Sequence, residues 1–93
     1  MNARGDAKGI RWEELGELLK ELETLQADKV LALARRLIPG LTAEDIRNPH
    51  DFPNLADPDW HFEDGILTGV QSVLSAVRSL QREHEEREEK ERS

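Results

Sequence analysis

Cysteine and tyrosine are absent from this chain of 93 residues, and methionine occurs once. Without cysteine there is neither a disulfide framework nor a thiolate metal site. Aromatic rings are scarce: Trp12, Phe52, Trp60 and Phe62 are all there are. No apolar run reaches the ~20 residues of a membrane span, and the N-terminus lacks the apolar stretch of a signal peptide, so a cytoplasmic protein outside the membrane is expected. Cations are the minority sign, 13 Lys and Arg against 20 Asp and Glu. The net charge of −7 argues against nonspecific binding to nucleic acid or anionic membrane. No glycine run matches a phosphate loop and no serine sits in a Gly-x-Ser-x-Gly elbow. A catalytic constellation is not signalled, no cofactor is expected, and the chain reads as a non-enzyme.

What is present is a short, thinly apolar chain. One domain is expected at this length. Hydrophobic residues are 37% of it and charged residues 35%. A domain this small buries a modest share of its surface, and self-association is a usual remedy where staples are missing.

Residues 1–9 hold two glycines and no periodicity, which reads as a disordered lead-in. The Arg4-Gly5-Asp6 tripeptide within it matches an integrin-binding motif over three residues only, the length at which coincidence is the rule. From Arg11, Leu15, Leu18, Leu19, Leu22 and Leu25 recur at helical spacing, then the stripe shifts phase to Val30, Leu33, Ala34 and Leu37. Gln26-Ala27-Asp28 lies at the shift, and the spacing predicts two helices with a tight break there. Pro39-Gly40 ends the pattern. Thr42-Ala43-Glu44-Asp45 resembles a capping box for one short turn of helix, closed by Asn48-Pro49. Three prolines between residues 48 and 59 make a loop, with Phe52 and Leu55 as its anchors. Asp57-Pro58 restarts a helix, Asp57 at the N-cap and Pro58 at its first position. This long helix runs to residue 85. Residues 10–80 form the helical domain, and 81–93, with no apolar residue, a charged helical extension or frayed tail.

The most specific pattern lies between Gly65 and Leu80. Ile66, Val70, Val73, Val77 and Leu80 form an apolar ridge, and Gly65, Gly69, Ser72, Ala76 and Ser79 a parallel row of small side chains beside it. Small residues let a second backbone approach, while the ridge supplies area to bury. A homodimer seam is therefore expected over Gly65, Gly69, Val70, Ser72, Val73, Ala76, Val77 and Leu80, with close approach of a helix from the same chain as the alternative use of Gly69.

The stretch from His50 to Asp64 concentrates polar chemistry. His61 and Asp64 stand at i and i+3 and, with His50, form a candidate metal set. The competing account is that the acids of this stretch serve the start of the long helix. A calcium loop is excluded, since Phe62 and Thr68 stand where an EF-hand needs Gly and Glu. The same stretch carries five acidic residues and no cation, so Asp57, Asp59, Trp60 and Asp64 are a candidate docking site for a protein with basic or apolar surface.

The sequence thus predicts an all-α fold: a small helical bundle made of an antiparallel helix pair and a long C-terminal helix, joined by a Pro-rich loop and completed by dimerisation. The expected function is protein–protein interaction or scaffolding. The alternative is a metal-binding protein or metal-dependent enzyme built on segment 50–64.

Overall fold

A computed structural model of the chain describes residues 9–92. The Arg4-Gly5-Asp6 tripeptide and the rest of the lead-in up to residue 8 lie outside them, as does Ser93. Two α-helices, α1 (Trp12–Leu37) and α2 (Pro58–Arg92), fold back on each other, and no strand occurs among the described residues. The all-α expectation holds.

At the start of α1 the Glu14 carboxylate accepts from the Arg11 backbone N–H at 3.3 Å and from its Nε at 3.1 Å. Glu13 and Glu14 suit the positive end of the helix dipole, and Arg35 and Arg36 the negative end. The Ile38 N–H closes the last turn on the Ala34 carbonyl at 2.8 Å. Pro39 cannot continue the ladder, and Gly40, at φ +88°, takes the backbone into a region that side-chain-bearing residues avoid.

The break expected at Gln26-Ala27-Asp28 is not there: α1 is one helix of 26 residues. Three helices therefore become two. Nothing in the tripeptide is a breaker, and Gln26 is held at the contact with α2 by hydrogen bonds to Glu63. The apparent change of phase has another cause. The leucines before Gln26 cover two adjacent faces, with Leu19 turned toward α2 and Leu18, Leu22 and Leu25 exposed.

Residues 38–57 are shaped by local caps. The Thr42 N–H donates to Asp45 Oδ2 (3.0 Å) and the Asp45 N–H to Thr42 Oγ1 (3.2 Å), the reciprocal pair that the sequence suggests. Three 3₁₀ turns follow, Asp45–Arg47, Pro49–Asp51 and Pro53–Leu55. Leu41 and Leu55 are buried, and Phe52 packs against the same cluster. The Trp60 N–H donates to Asp57 Oδ2 at 3.0 Å, so Asp57 caps α2 with Pro58 behind it.

The core sits at the loop end, where Val30, Ala34, Leu41, Leu55 and Trp60 are buried together. From there a seam runs up the hairpin. Trp60, Leu67, Leu74 and Gln81 on α2, with Glu63, Val70, Val77 and His84 between them, are all buried or half-buried. Apart from Asp64, every other α2 residue beyond Pro58 is exposed. On α1 the matching rows are Trp12, Leu19, Gln26 and Leu33, and Gly16, Glu23, Val30 and Leu37. This seven-residue repeat is the spacing of a left-handed coiled-coil contact. The contacts Trp12–His84 (ring centroids 5.8 Å), Gln26–Glu63 and Trp60–Val30 set the register, so that residues standing level on the two helices have numbers adding to about 92.

Trp60 is the largest fully buried side chain, and its indole N–H donates to the Val30 carbonyl at 3.2 Å. Replacing Trp60 with Ala is expected to cost ~3–5 kcal/mol. Urea unfolding followed by circular dichroism measures it, and an unchanged midpoint would contradict the placement of the ring.

Candidate functional site: an open apolar face

The seam leaves each helix two flanks, and they differ in character. Three residues past one seam row stand Leu15, Leu22 and, at the loop end, Lys29 on α1, and Asp59, Ile66, Val73 and Leu80 on α2. Next out come Leu18 and Leu25 on α1, and Phe62, Gly69 and Ala76 on α2. The helices are antiparallel, which reverses the sense of rotation of one as seen from the other, so the same step turns both flanks to the same side. The opposite side presents Glu13, Lys20 and Ala27 with Asp64, Gln71, Arg78 and Glu85. The hairpin is amphipathic as a unit.

The apolar side is open. Leu25 is 61% exposed, Val73 52%, Leu18 and Leu80 49% each, and Phe62 at the loop end 68%. Scattered apolar side chains are ordinary on a protein surface, but a contiguous patch on two adjacent helices is not.

A polar lock fixes the roll of α2 and hence which residues this face carries. Gln26 Nε2 donates to both the carbonyl and the carboxylate of Glu63 at 2.9 Å, and Lys29 Nζ lies 3.3 Å from the same carboxylate. The Gln26 bond, with Lys29 adding to it, holds the Glu63 carboxyl below the ordinary range, and partial burial opposes the shift. Glu23, also in the seam, is lowered chiefly by Lys20, which donates to it at 2.8 Å.

Of the seam expected from the ridge and its small-residue row, Gly69, Val73, Ala76 and Leu80 lie on the open face. Val70 and Val77 do not: they are half-buried along α1, because they fall on the heptad row that α1 covers. Gly65 and Ser72 face outward beyond the patch, and the Ser72 hydroxyl donates back to the Thr68 carbonyl at 3.0 Å. A Cβ built on Gly65 or Gly69 would meet nothing within 4 Å. Neither glycine makes room for a helix of its own chain, so that alternative for Gly69 is corrected. The α1 half of the face, Leu18, Leu22 and Leu25, escaped the sequence reading. The signal was an excess, since five leucines between Leu15 and Leu25 are more than one buried stripe needs.

Trp60 leaves the proposed docking set because its ring is buried, and Asp57 is engaged as the cap of α2. Asp59 is exposed and Asp64 is half-buried on the polar flank. His50 and His61 meet at the rim of one shallow hollow with Pro49, Phe52 and Leu55, but Asp64 does not line it. The His61 ring stands edge-on to Trp60 (centroids 5.2 Å), and His50 Nε2 is 3.7 Å from Asp51 Oδ1. Among the described residues, no three His, Asp or Glu side chains converge on a point that could hold a metal ion. No described helix is long and apolar enough to cross a membrane. No protein-family model matches the chain, and neither a curated protein nor a solved structure does.

The lowered carboxyl of Glu63 has a consequence for stability. A folded-state pKa below the unfolded one contributes stability at neutral pH that is lost as pH falls, first below the ordinary carboxyl range near ~4–4.5 and then through the folded value. Unfolding midpoints measured from pH 7 downward should therefore drop in acid. Glu63→Gln should make that drop shallower, and an identical acid profile would show that the lock contributes nothing.

Proposed function

We propose that this protein is a non-catalytic association module, a small helical scaffold that acts as a homodimer joined through the open face. The observation that carries the reading is that face, contiguous, apolar and two helices wide, on a hairpin whose other flank is polar. Seven large side chains on it retain a substantial part of their exposure. At ~1.5–3 kcal/mol for a fully buried side chain, covering the remainder contributes roughly 5–10 kcal/mol per copy as an upper estimate. Two copies together reach the range of the association cost, ~4–15 kcal/mol, and the hairpin is already folded when they meet. The polar flank, with Asp64, and the exposed Asp51 of the loop lie off the open face and stay accessible in such a dimer. They suit a further protein partner with basic features.

Sedimentation equilibrium should return twice the chain mass of 10.6 kDa, with a melting temperature that rises with protein concentration. Val73→Glu places a charge in the middle of the face and should yield monomer, whereas Ser75→Glu, on the exposed polar side, should leave the dimer intact. A monomer mass for the unaltered chain at the highest soluble concentration overturns the reading.

A further inference from the structure

We infer that the occupant of the open face is a second copy related by a two-fold axis parallel to the helices, with α1 of each copy lying on α2 of the other and both loops at the same end. The inference rests on the association reading above and adds its geometry.

Two symmetric arrangements can cover this face. An axis across the helices sets α1 on α1 and α2 on α2. An axis along them sets α1 on the partner's α2, with every neighbouring pair antiparallel. The second arrangement has no freedom of register, because rotation about an axis parallel to the helices leaves each residue at its own height. The partner residue opposite a given position on α1 is then the one level with it in its own hairpin, and the Trp12–His84, Gln26–Glu63 and Trp60–Val30 contacts fix those levels.

On the outermost row of the face the pairs nearest in level, within about 3 Å along the axis, are Arg11 with Glu83, Leu18 with Ala76, Leu25 with Gly69, and Ala32 with Phe62. The first joins opposite charges, although Arg11 already holds Glu14 through its Nε. Each of the other three sets a large side chain against a small one, and the order reverses between the helices as the pairing requires. The crosswise arrangement sets the outer row of α1, with Leu18 and Leu25, against the same row of its copy, and the outer row of α2, with Gly69 and Ala76, against the same row of its copy, so that on this row large side chains meet large ones and small meet small. Gly69 weakens its helix and has no neighbour in its own chain that needs the space. A partner's Leu25 at that position supplies the reason for it.

The area is sufficient. Roughly 18 residues of each helix face each other along the hairpin, about 27 Å, and two helices side by side are roughly 20 Å wide. This is roughly 1,100 Å² over both copies, at the lower edge of specific interfaces.

The absence of cysteine makes the test direct. Leu25→Cys and Gly69→Cys chains are prepared separately, oxidised alone, then mixed in denaturant, refolded together and oxidised again. The mixture should give a disulfide-linked pair of chains, while each variant alone should stay unlinked because its two cysteines lie diagonally across the dimer. Should either variant fail to fold by circular dichroism, Leu18→Cys with Ala76→Cys tests the next level. Gly69→Leu should weaken dimerisation about tenfold or more, and Gly65→Leu, off the face, should not. Dimer mass without the mixed disulfide, or with self-linked single variants, overturns this geometry and leaves association standing. Monomer mass overturns both.

Discussion

The burial of Trp60 sets the rotation of α2 about its own axis, and every later residue of that helix takes its exposure from that setting. The backbone N–H of Trp60 is tied to the Asp57 cap and its indole to the Val30 carbonyl, so the first turn of α2 is held at both its backbone and its ring. Seven-residue steps from Trp60 then bring Leu67, Leu74 and Gln81 to α1. A roll of one position would put Ile66 and Val73 into the seam and turn Leu67 and Leu74 to solvent. The total apolar content would not change, but the face offered outward would.

Polar groups in the seam act on the same variable. Leucines pack acceptably in several registers, whereas the hydrogen bonds and ion pair that join Gln26 and Lys29 to Glu63 belong to this one. Their net energetic contribution is modest, since pairing groups that water also serves gains little. Their value lies in discriminating between alignments, the best-attested use of polar residues at coiled-coil core positions. The loop contributes in a similar manner. Thr42 with Asp45, and the prolines that open two 3₁₀ turns, constrain the chain between the helices, and Leu41 and Leu55 fasten it to the end of the seam.

Much of this was legible in the sequence, and the part that was not has a definite cause. Punctuation is local chemistry, so Pro39-Gly40, the Thr42–Asp45 box, the Asp57-Pro58 start and the anchors Phe52 and Leu55 could be read directly. Steps of three and four identify a helix but do not separate two adjacent faces that are both apolar. Leu19 and Leu18 looked like one stripe, as did Val70 and Val73, yet in each pair only the first meets the other helix. That ambiguity produced the false break at Gln26 and put Val70 and Val77 in the outer ridge. The row Trp60, Leu67, Leu74 was present at heptad spacing but was outweighed by the denser valine pattern beside it. Trp60 could not be assigned as buried or exposed from its neighbours alone, because the carbonyl that receives its indole lies 30 positions earlier in the chain.

The positions of the two tryptophans make the molecule its own optical gauge. With no tyrosine in the chain, near-ultraviolet absorption comes almost wholly from two indoles at opposite ends of the hairpin. Trp60 is dry and hydrogen-bonded at the loop end, a setting that gives blue-shifted emission. Trp12 is half-buried beside the His84 imidazole at the other end, already partly open to water. Exposure of Trp60 gives a large red shift and exposure of the half-buried Trp12 a small one, so fraying of the helix termini can be distinguished from opening of the core without a label.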